Sequence, residues 1–353
     1  MTRQARNMMK YVVKRILLMI PILIAVLIFT WILSHAIDRN PYLSQLMTYD
    51  AGVIERELRR VGWYDPWYVK LGLYLKNFFT GDWGEAYFIF PGEKVVDVIA
   101  MVFPKTLELM IISMIIVPII GIKLGVNSAR NKNKPKDILI RGTAILGAGL
   151  PVFYVASLIQ IFVGVELRNF TYGEAFIPVV FANSPSLFSP VPPGGSMTGF
   201  RIIDSILFND PIYLFDTLTH LILPVFCMTF VSLAGITRQT RSSMLEVLDQ
   251  DYVRTARAKG VKEKDVINKH VLRNSILPSS YLIIGGITAS LLGSMFVEVT
   301  FNYKGMGYYF YSAIMRLDYL MINGFLVFST LIIISGTIIA DVVYTIIDPR
   351  IIY

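Results

Sequence analysis

Apolar residues in this chain fall in long unbroken runs, not in the alternating or 3.6-residue patterns of half-buried elements. A helix needs about 20 mostly apolar residues to cross the hydrocarbon core of a bilayer. Six segments reach that length: Ile16–Ile37, Leu107–Val126, Ile138–Val165, Leu218–Ile236, Ile276–Val299 and Met321–Ile347. The third is long enough to tilt or to extend past the lipid. Pro21, Pro118, Pro151 and Pro224 lie inside these runs, and Pro278 opens the fifth. Membrane helices tolerate such prolines where neighbouring helices satisfy the freed backbone groups. The first run exceeds the h-region of a signal peptide, about 7–15 residues, and no small-x-small cleavage site follows, so it predicts a retained helix. The pattern as a whole predicts an all-α polytopic membrane protein with six transmembrane helices.

The polar stretches between the runs divide by charge. Residues 1–15 carry Arg3, Arg6, Lys10, Lys14 and Arg15 and no acidic residue. The second and third spans are joined through Arg130, Lys132, Lys134 and Lys136. The stretch 238–275, between the fourth and fifth spans, holds Arg238, Arg241, Arg254, Arg257, Lys259, Lys262, Lys264, Lys269 and Arg273. Six crossings put these three segments on one side, and the positive-inside rule makes that side the cytoplasm. Both termini fall there, 348–353 included. Segments 38–104 and 168–217 then lie outside, with the transmembrane core spanning 105–347. Loops this long usually carry structure or function. In the first, Ala51–Val61 and Trp67–Phe79 have helical spacing, and Trp63, Tyr64, Trp67 and Tyr68 suit the headgroup level. In the second, Asn183-Ser184-Pro185 and Pro192-Pro193-Gly194-Gly195 predict irregular turns and an irregular loop.

Composition agrees: 54% of the 353 residues are hydrophobic and only 16% charged, against about 25% in a soluble domain. The placement of the +8 net charge assigns it to the membrane surface rather than to nucleic acid. Cys227 is alone, so no disulfide framework exists. His35, His220 and His270 are scattered without metal-ligand spacing. No Gly-x-x-x-x-Gly-Lys-Ser/Thr loop, His-Glu-x-x-His pair or Gly-x-Ser-x-Gly elbow occurs, which argues against an ATPase or hydrolase site in this chain. Charged residues in a span are functional candidates. Arg141, Asp341 and Lys123 qualify only near span ends, where snorkelling or pairing within the bundle accounts for them. No residue stands out as a solute ligand.

The most informative polar stretch is Arg238–Pro278. It predicts two amphipathic helices meeting at Gly260, since Lys259-Gly260 fits a helix end with glycine in the left-handed position. Met244, Leu245, Val247 and Leu248 form an apolar face that Tyr252, Val253 and Ala256 continue. Val266, Ile267, Val271 and Leu272 form a second, with Lys262, Lys264 and Lys269 opposite.

The residue order Asp251-Tyr252-Val253-Arg254-Thr255-Ala256-Arg257-Ala258-Lys259-Gly260, then His270-Val271-Leu272-Arg273-Asn274 and Leu277-Pro278, resembles the cytoplasmic-loop signature of ABC importer permeases. It is similar to the branch that imports dipeptides, oligopeptides and nickel complexes. The wider family pattern is Glu-Ala-Ala, three residues, Gly, nine residues, Ile-x-Leu-Pro. Aligned on Gly260, only Ala256 and Leu272 match it, a departure that suits the peptide branch. Tyr11–Arg15, Gly81-Asp82-Trp83-Gly84, Pro104–Leu109, Phe296-Val297-Glu298 through Gly305-Met306-Gly307, and Asp348-Pro349-Arg350 extend the resemblance over nearly the whole chain, 168–217 excepted.

The resemblance implies a non-catalytic subunit forming half of a translocation pathway, with a coupling helix that docks on a separate ATPase. The contacts would come from Asp251, Tyr252, Arg254, Thr255, Ala256, Arg257, Ala258, Lys259, Gly260 and Val261. Gly260 would make the turn, Ala256 would pack, and the cations would orient the docking. The implied partners are a second permease, two ATP-binding subunits that hold ATP and Mg, an extracytoplasmic solute-binding protein and membrane lipid. Solutes other than peptides, nickel chelates among them, travel through the same branch. A secondary transporter is the other class to weigh; it would show paired broken helices or repeated halves, and no internal repeat is visible.

Overall fold

In hydrocarbon a backbone can satisfy its N–H and C=O groups internally only as a helix or a closed barrel, and the apolar runs of this chain are helical. A computed structural model describes residues 3–36, 52, 55, 56, 59, 64–86, 88–171, 177–185, 187 and 198–347. The helices are α1 (Arg3–Ala36), α2 (Trp67–Thr80), α3 (Val95–Arg130), α4 (Pro135–Gly149), α5 (Val152–Ile161), α6 (Arg201–Leu207), α7 (Pro211–Leu248), α8 (Asp251–Ala258), α9 (Arg273–Thr300), α10 (Met306–Arg316) and α11 (Tyr319–Ile347). Phe162–Leu167 and Val266–Leu272 are π-helical. Of the predicted features, Trp63, 192–195 and 348–353 lie outside the described residues, as does most of Ala51–Val61.

By length and composition α3, α7 and the Tyr319–Val343 part of α11 each suffice to cross a membrane, and the total is five where each of two bent pairs counts as one span. In α1 the stretch Leu17–Ile32 is a shorter apolar helix. Two predicted spans are bent, the fifth by 44° and the third more sharply. α4 and α5 meet at 108°, because Pro151 lacks an N–H and pushes Leu150 into the extended region, where its φ is −95° and ψ 134°. The helix that holds the second predicted span is longer than that span, since α3 begins at Val95.

The described chain forms two compact bodies, Met1–Pro104 with Gly305–Ser335, and Lys105–Lys304 with Gly336–Tyr353. In the first, Val95, Val98, Ile99 and Val102 of α3 pack with Met306 and Ala313 of α10 and Met321 and Phe325 of α11. A Cβ on Gly324 would lie 2.3 Å from Val95 Cγ1, so only glycine lets these helices approach. Asp318 is fully buried and accepts from the backbone N–H of Phe88 at 2.9 Å and of Met321 at 3.4 Å, fixing the start of α11. α2 buries none of its residues, and Trp67, Tyr68 and Phe79 are exposed.

The second body is built around α7. Gly121 and Gly125 of α3 face it one turn apart. A Cβ at Gly125 would sit 2.6 Å from Thr240 Cβ and 2.9 Å from Thr237 O, and one at Gly121 2.9 Å from Ile236 Cγ2. This is the small-x-x-x-small contact of membrane helices. Gly147 of α4 does the same, 3.0 Å from Phe230 O. The hydroxyls of Thr240 and Ser279 share a hydrogen bond of 2.8 Å, tying α7 to α9.

Gly125→Leu is expected to destabilise the purified protein by about 1–3 kcal/mol, the cost of overpacking, because the nearest obstacle includes a carbonyl. Gly235→Ala has open space at its Cβ and, alanine being the better helix former, should leave the thermal midpoint unchanged or slightly raised. Equal midpoints for both variants would contradict this account of the α3–α7 contact.

Candidate functional site

The predicted polar loop 238–275 is mostly helix. α7 continues through Arg238 and Arg241 to Leu248, because no glycine or proline interrupts that stretch and Met244, Leu245, Val247 and Leu248 keep its apolar face. After Asp249 and Gln250 the chain turns into α8. Asp251 stands in its first turn and Arg257 in its last, each complementing the helix dipole.

α8 ends where the sequence places the turn. Gly260 has φ 75°. Its N–H donates to Arg257 O at 2.9 Å, and that of Val261 to Ala256 O at 3.3 Å. These two bonds are the Schellman pattern. Val253 and Ala256 are buried, at 0% and 7% exposure. They join Ala129, Met244, Val266, Ile267 and Val271 in one apolar cluster, with Val261, Leu245, Val247, Leu248 and Leu272 packed against it. The π-helical turns bring Val266 and Val271, five apart, to the same side.

The rest of the predicted docking set faces outward: Asp251, Tyr252, Arg254, Thr255, Arg257, Ala258, Lys259 and Gly260 are exposed. One expectation changes. Tyr252 does not continue the apolar face; it is 43% exposed, and its hydroxyl accepts from Asn274 Nδ2 at 3.1 Å. The cations are also not equivalent. Arg257 is held by Glu263 at 2.9 Å, and Arg254 lies 3.4 Å from Asp251, whereas Lys259 has no ion pair among the described residues. The Arg257 guanidinium keeps the Glu263 carboxyl below the usual carboxylate range. That pairing is therefore complete at neutral pH and is lost as pH falls through the lowered pKa of Glu263.

The cluster under α8 rests on the ends of α3 and α7, and a buried carboxylate fixes those ends. Asp137 is fully buried. It accepts from Arg241 Nε at 2.9 Å and Nη2 at 3.0 Å, from the Asn133 N–H at 3.0 Å, and from Ser128 Oγ. Arg141 lies 3.5 Å away and is 45% exposed, so this charged residue is paired within the bundle. The sequence reading did not single out Asp137. Its signal was one acidic residue among the basic residues 130–141, and its partner Arg241 is 104 positions away.

These features define a polytopic helical membrane protein that presents a short exposed helix on the ends of two long ones. Residues 119–353 match the family described as binding-protein-dependent transport system inner membrane component, and the chain belongs to that family. It is 34% identical to the oligopeptide transport system permease protein AppB of Bacillus subtilis (strain 168), covering 98% of this chain and 100% of that protein. It is 34% identical to the dipeptide transport system permease protein DppB of Alkalihalophilus pseudofirmus, with 98% and 100% covered. With DppB of Escherichia coli (strain K12) the values are 31%, 98% and 99%. The family that the sequence resembles is thus the family to which the chain belongs. The protein is a multi-pass inner-membrane permease.

Removing one partner of a buried ion pair costs about 3–5 kcal/mol. Arg241→Met should therefore lower the thermal midpoint of the purified protein markedly, and the double variant Asp137→Asn with Arg241→Met should recover much of the loss. A double variant no better than the single would show that the pair does not set this geometry.

Proposed function

We propose that this chain is the transmembrane permease subunit of an ATP-driven importer for peptides, forming half of the pathway and coupled to a separate ATPase through α8. The single observation that carries this reading is the two-sidedness of α8. Val253 and Ala256 clamp it onto the chain's own apolar cluster while its remaining positions are exposed. Full-length similarity to permeases named for oligopeptides and dipeptides supports the peptide substrate.

In this reading the chain crosses the membrane six times with both termini in the cytoplasm. It pairs with a second permease; two ATP-binding subunits hold ATP and Mg and perform the hydrolysis; an extracytoplasmic binding protein delivers the solute. α8 docks on the ATPase through Asp251, Tyr252, Arg254, Thr255, Arg257, Ala258, Lys259 and Gly260. The ion pair with Glu263 orients Arg257, and Lys259 is left to meet an acidic group of the partner. Ala256 and Val261 act from beneath, by packing. Movement of the ATPase is passed to the ends of α7 and α3, because the cluster joins α8 to both.

Two tests follow. In vesicles holding the purified complex and its binding protein, labelled peptide should accumulate only with ATP. ATP-dependent uptake of a nickel chelate with no uptake of peptide would move the substrate to the other members of the branch. Gly260→Val forces a β-branched residue into the left-handed region, at a cost of about 1–2 kcal/mol. Copurification of the ATPase and peptide uptake should both fall severalfold; unchanged assembly and uptake would remove α8 from coupling.

A further inference from the structure

The segment Val179–Ser184 crosses one end of the second body, and each end of it is tied to a different helix. Gln160 Nε2, on α5, donates to Val179 O at 3.0 Å and to Thr300 O, on α9, at 2.9 Å. The Phe181 N–H donates to Phe301 O at 2.8 Å, just past α9. Asn183 Nδ2 donates to Asp216 Oδ2 at 3.0 Å and Thr217 Oγ1 at 2.7 Å, both on α7. Ser184 gives Asp216 two more bonds, from its N–H at 2.9 Å and its hydroxyl at 2.6 Å.

Arg201 joins this strap to α3. It is 6% exposed, and each of its nitrogens has a partner. Nε donates to Glu108 Oε2 at 3.1 Å, and Nη1 donates to Ala182 O at 2.7 Å and Asn183 Oδ1 at 3.2 Å. Nη2 donates to the Tyr303 hydroxyl, and the guanidinium lies 4.5 Å from the centre of that ring. The other oxygen of Glu108 accepts from the Ile202 N–H at 2.7 Å, at the start of α6. The Tyr303 hydroxyl donates to Lys105 O at 3.1 Å.

This geometry does not suit a solute ligand, since all three guanidinium nitrogens are already engaged within the chain and the residue is 6% exposed. It also does not suit a gate, since lifting the strap would break its bonds to Gln160 on α5, Phe301 past α9, Asp216 and Thr217 on α7, and the buried Arg201 together. It suits a staple. α7 runs unbroken from the strap contacts at Asp216 and Thr217 to Met244 under α8, about 42 Å at the helical rise of 1.5 Å per residue. With its far end free, α7 would absorb a push at Met244 by sliding past its neighbours. With that end stapled, the push moves the four helices as one body.

We propose that Arg201 is a positioning residue for transport: it holds the strap 179–184 so that motion delivered at α8 reaches the far end of the second body undiminished. This deepens the importer reading and rests on it. The reconstituted complex, with both permeases, the ATPases and the binding protein, provides the test, and the readout is peptide accumulated per ATP hydrolysed. ATP-dependent uptake by the unmodified complex must be seen first; its absence would count against the importer reading itself.

Given uptake, Arg201→Gln should lower peptide per ATP by about tenfold, within the 5–150-fold span of ordinary coupling energies, while ATP hydrolysis continues. Ser184→Cys with Asp216→Cys, in a Cys227→Ala background and joined by a short bis-thiosulfonate, should restore the ratio in Arg201→Gln, and reductant should abolish the rescue. The same cross-link with Arg201 intact should leave uptake high. Cross-linked strap and blocked uptake would make the strap a moving gate and overturn the proposal. So would a cross-linked Arg201→Gln protein that assembles but stays uncoupled. Should Arg201→Gln fail to assemble, the cross-linked protein with Arg201 intact still decides: high uptake supports a staple and blocked uptake refutes it.

Discussion

The close approach of α7 to α3 and α4 is the contact on which the rest of the second body depends. In lipid there is no hydrophobic drive between helices, so association rests on packing and interhelical hydrogen bonds. Gly121, Gly125 and Gly147 remove the side chains that would hold α7 away, and Thr240 then reaches Ser279. Once α7 is placed, its two ends define two polar assemblies. One end meets the strap at Asp216 and Thr217, and the other carries Arg241 to Asp137 and Met244 to the underside of α8.

Both assemblies use an Arg–carboxylate pair whose buried carboxylate also accepts a hydrogen bond from the backbone. Such pairs contribute little net stability, because desolvation offsets the Coulomb gain, yet breaking one is costly. Their effect here is on geometry. Asp137 sets the spacing of the α3 and α7 ends that support α8, and Glu108 fixes Arg201 and the start of α6. α8 itself is only eight residues long, too short to hold together alone in water. Its form comes from the apolar cluster beneath and the left-handed turn at Gly260.

Much of this was legible in the sequence for identifiable reasons. Span length is fixed by bilayer thickness, so the runs at Leu107–Val126, Leu218–Ile236 and Met321–Ile347 marked α3, α7 and α11. Gly260 marked the end of α8 because few residues tolerate a φ of 75°. What failed was what apolar character alone does not carry. Ile138–Val165 has the composition of one span, but Pro151 breaks it at 108°, and the tolerance granted to prolines inside spans concealed the break. Arg238 and Arg241 marked the polarity of a loop while the backbone remained helical. The pairs Asp137–Arg241 and Glu108–Arg201 join residues 104 and 93 positions apart, a distance that no local pattern records. The segment 168–217, which the family resemblance left blank, supplied the strap.

The central claim is that α8 turns one face to its own chain and the other to an ATPase subunit. Thr255 is exposed, whereas Val253, two residues earlier, is fully buried. Single cysteines at the two positions, probed with a short cross-linker in the assembled complex, measure this directly. The account predicts that Thr255→Cys cross-links to the ATPase and Val253→Cys does not. Efficient cross-linking from position 253, or none from 255 in a transport-competent complex, would contradict it.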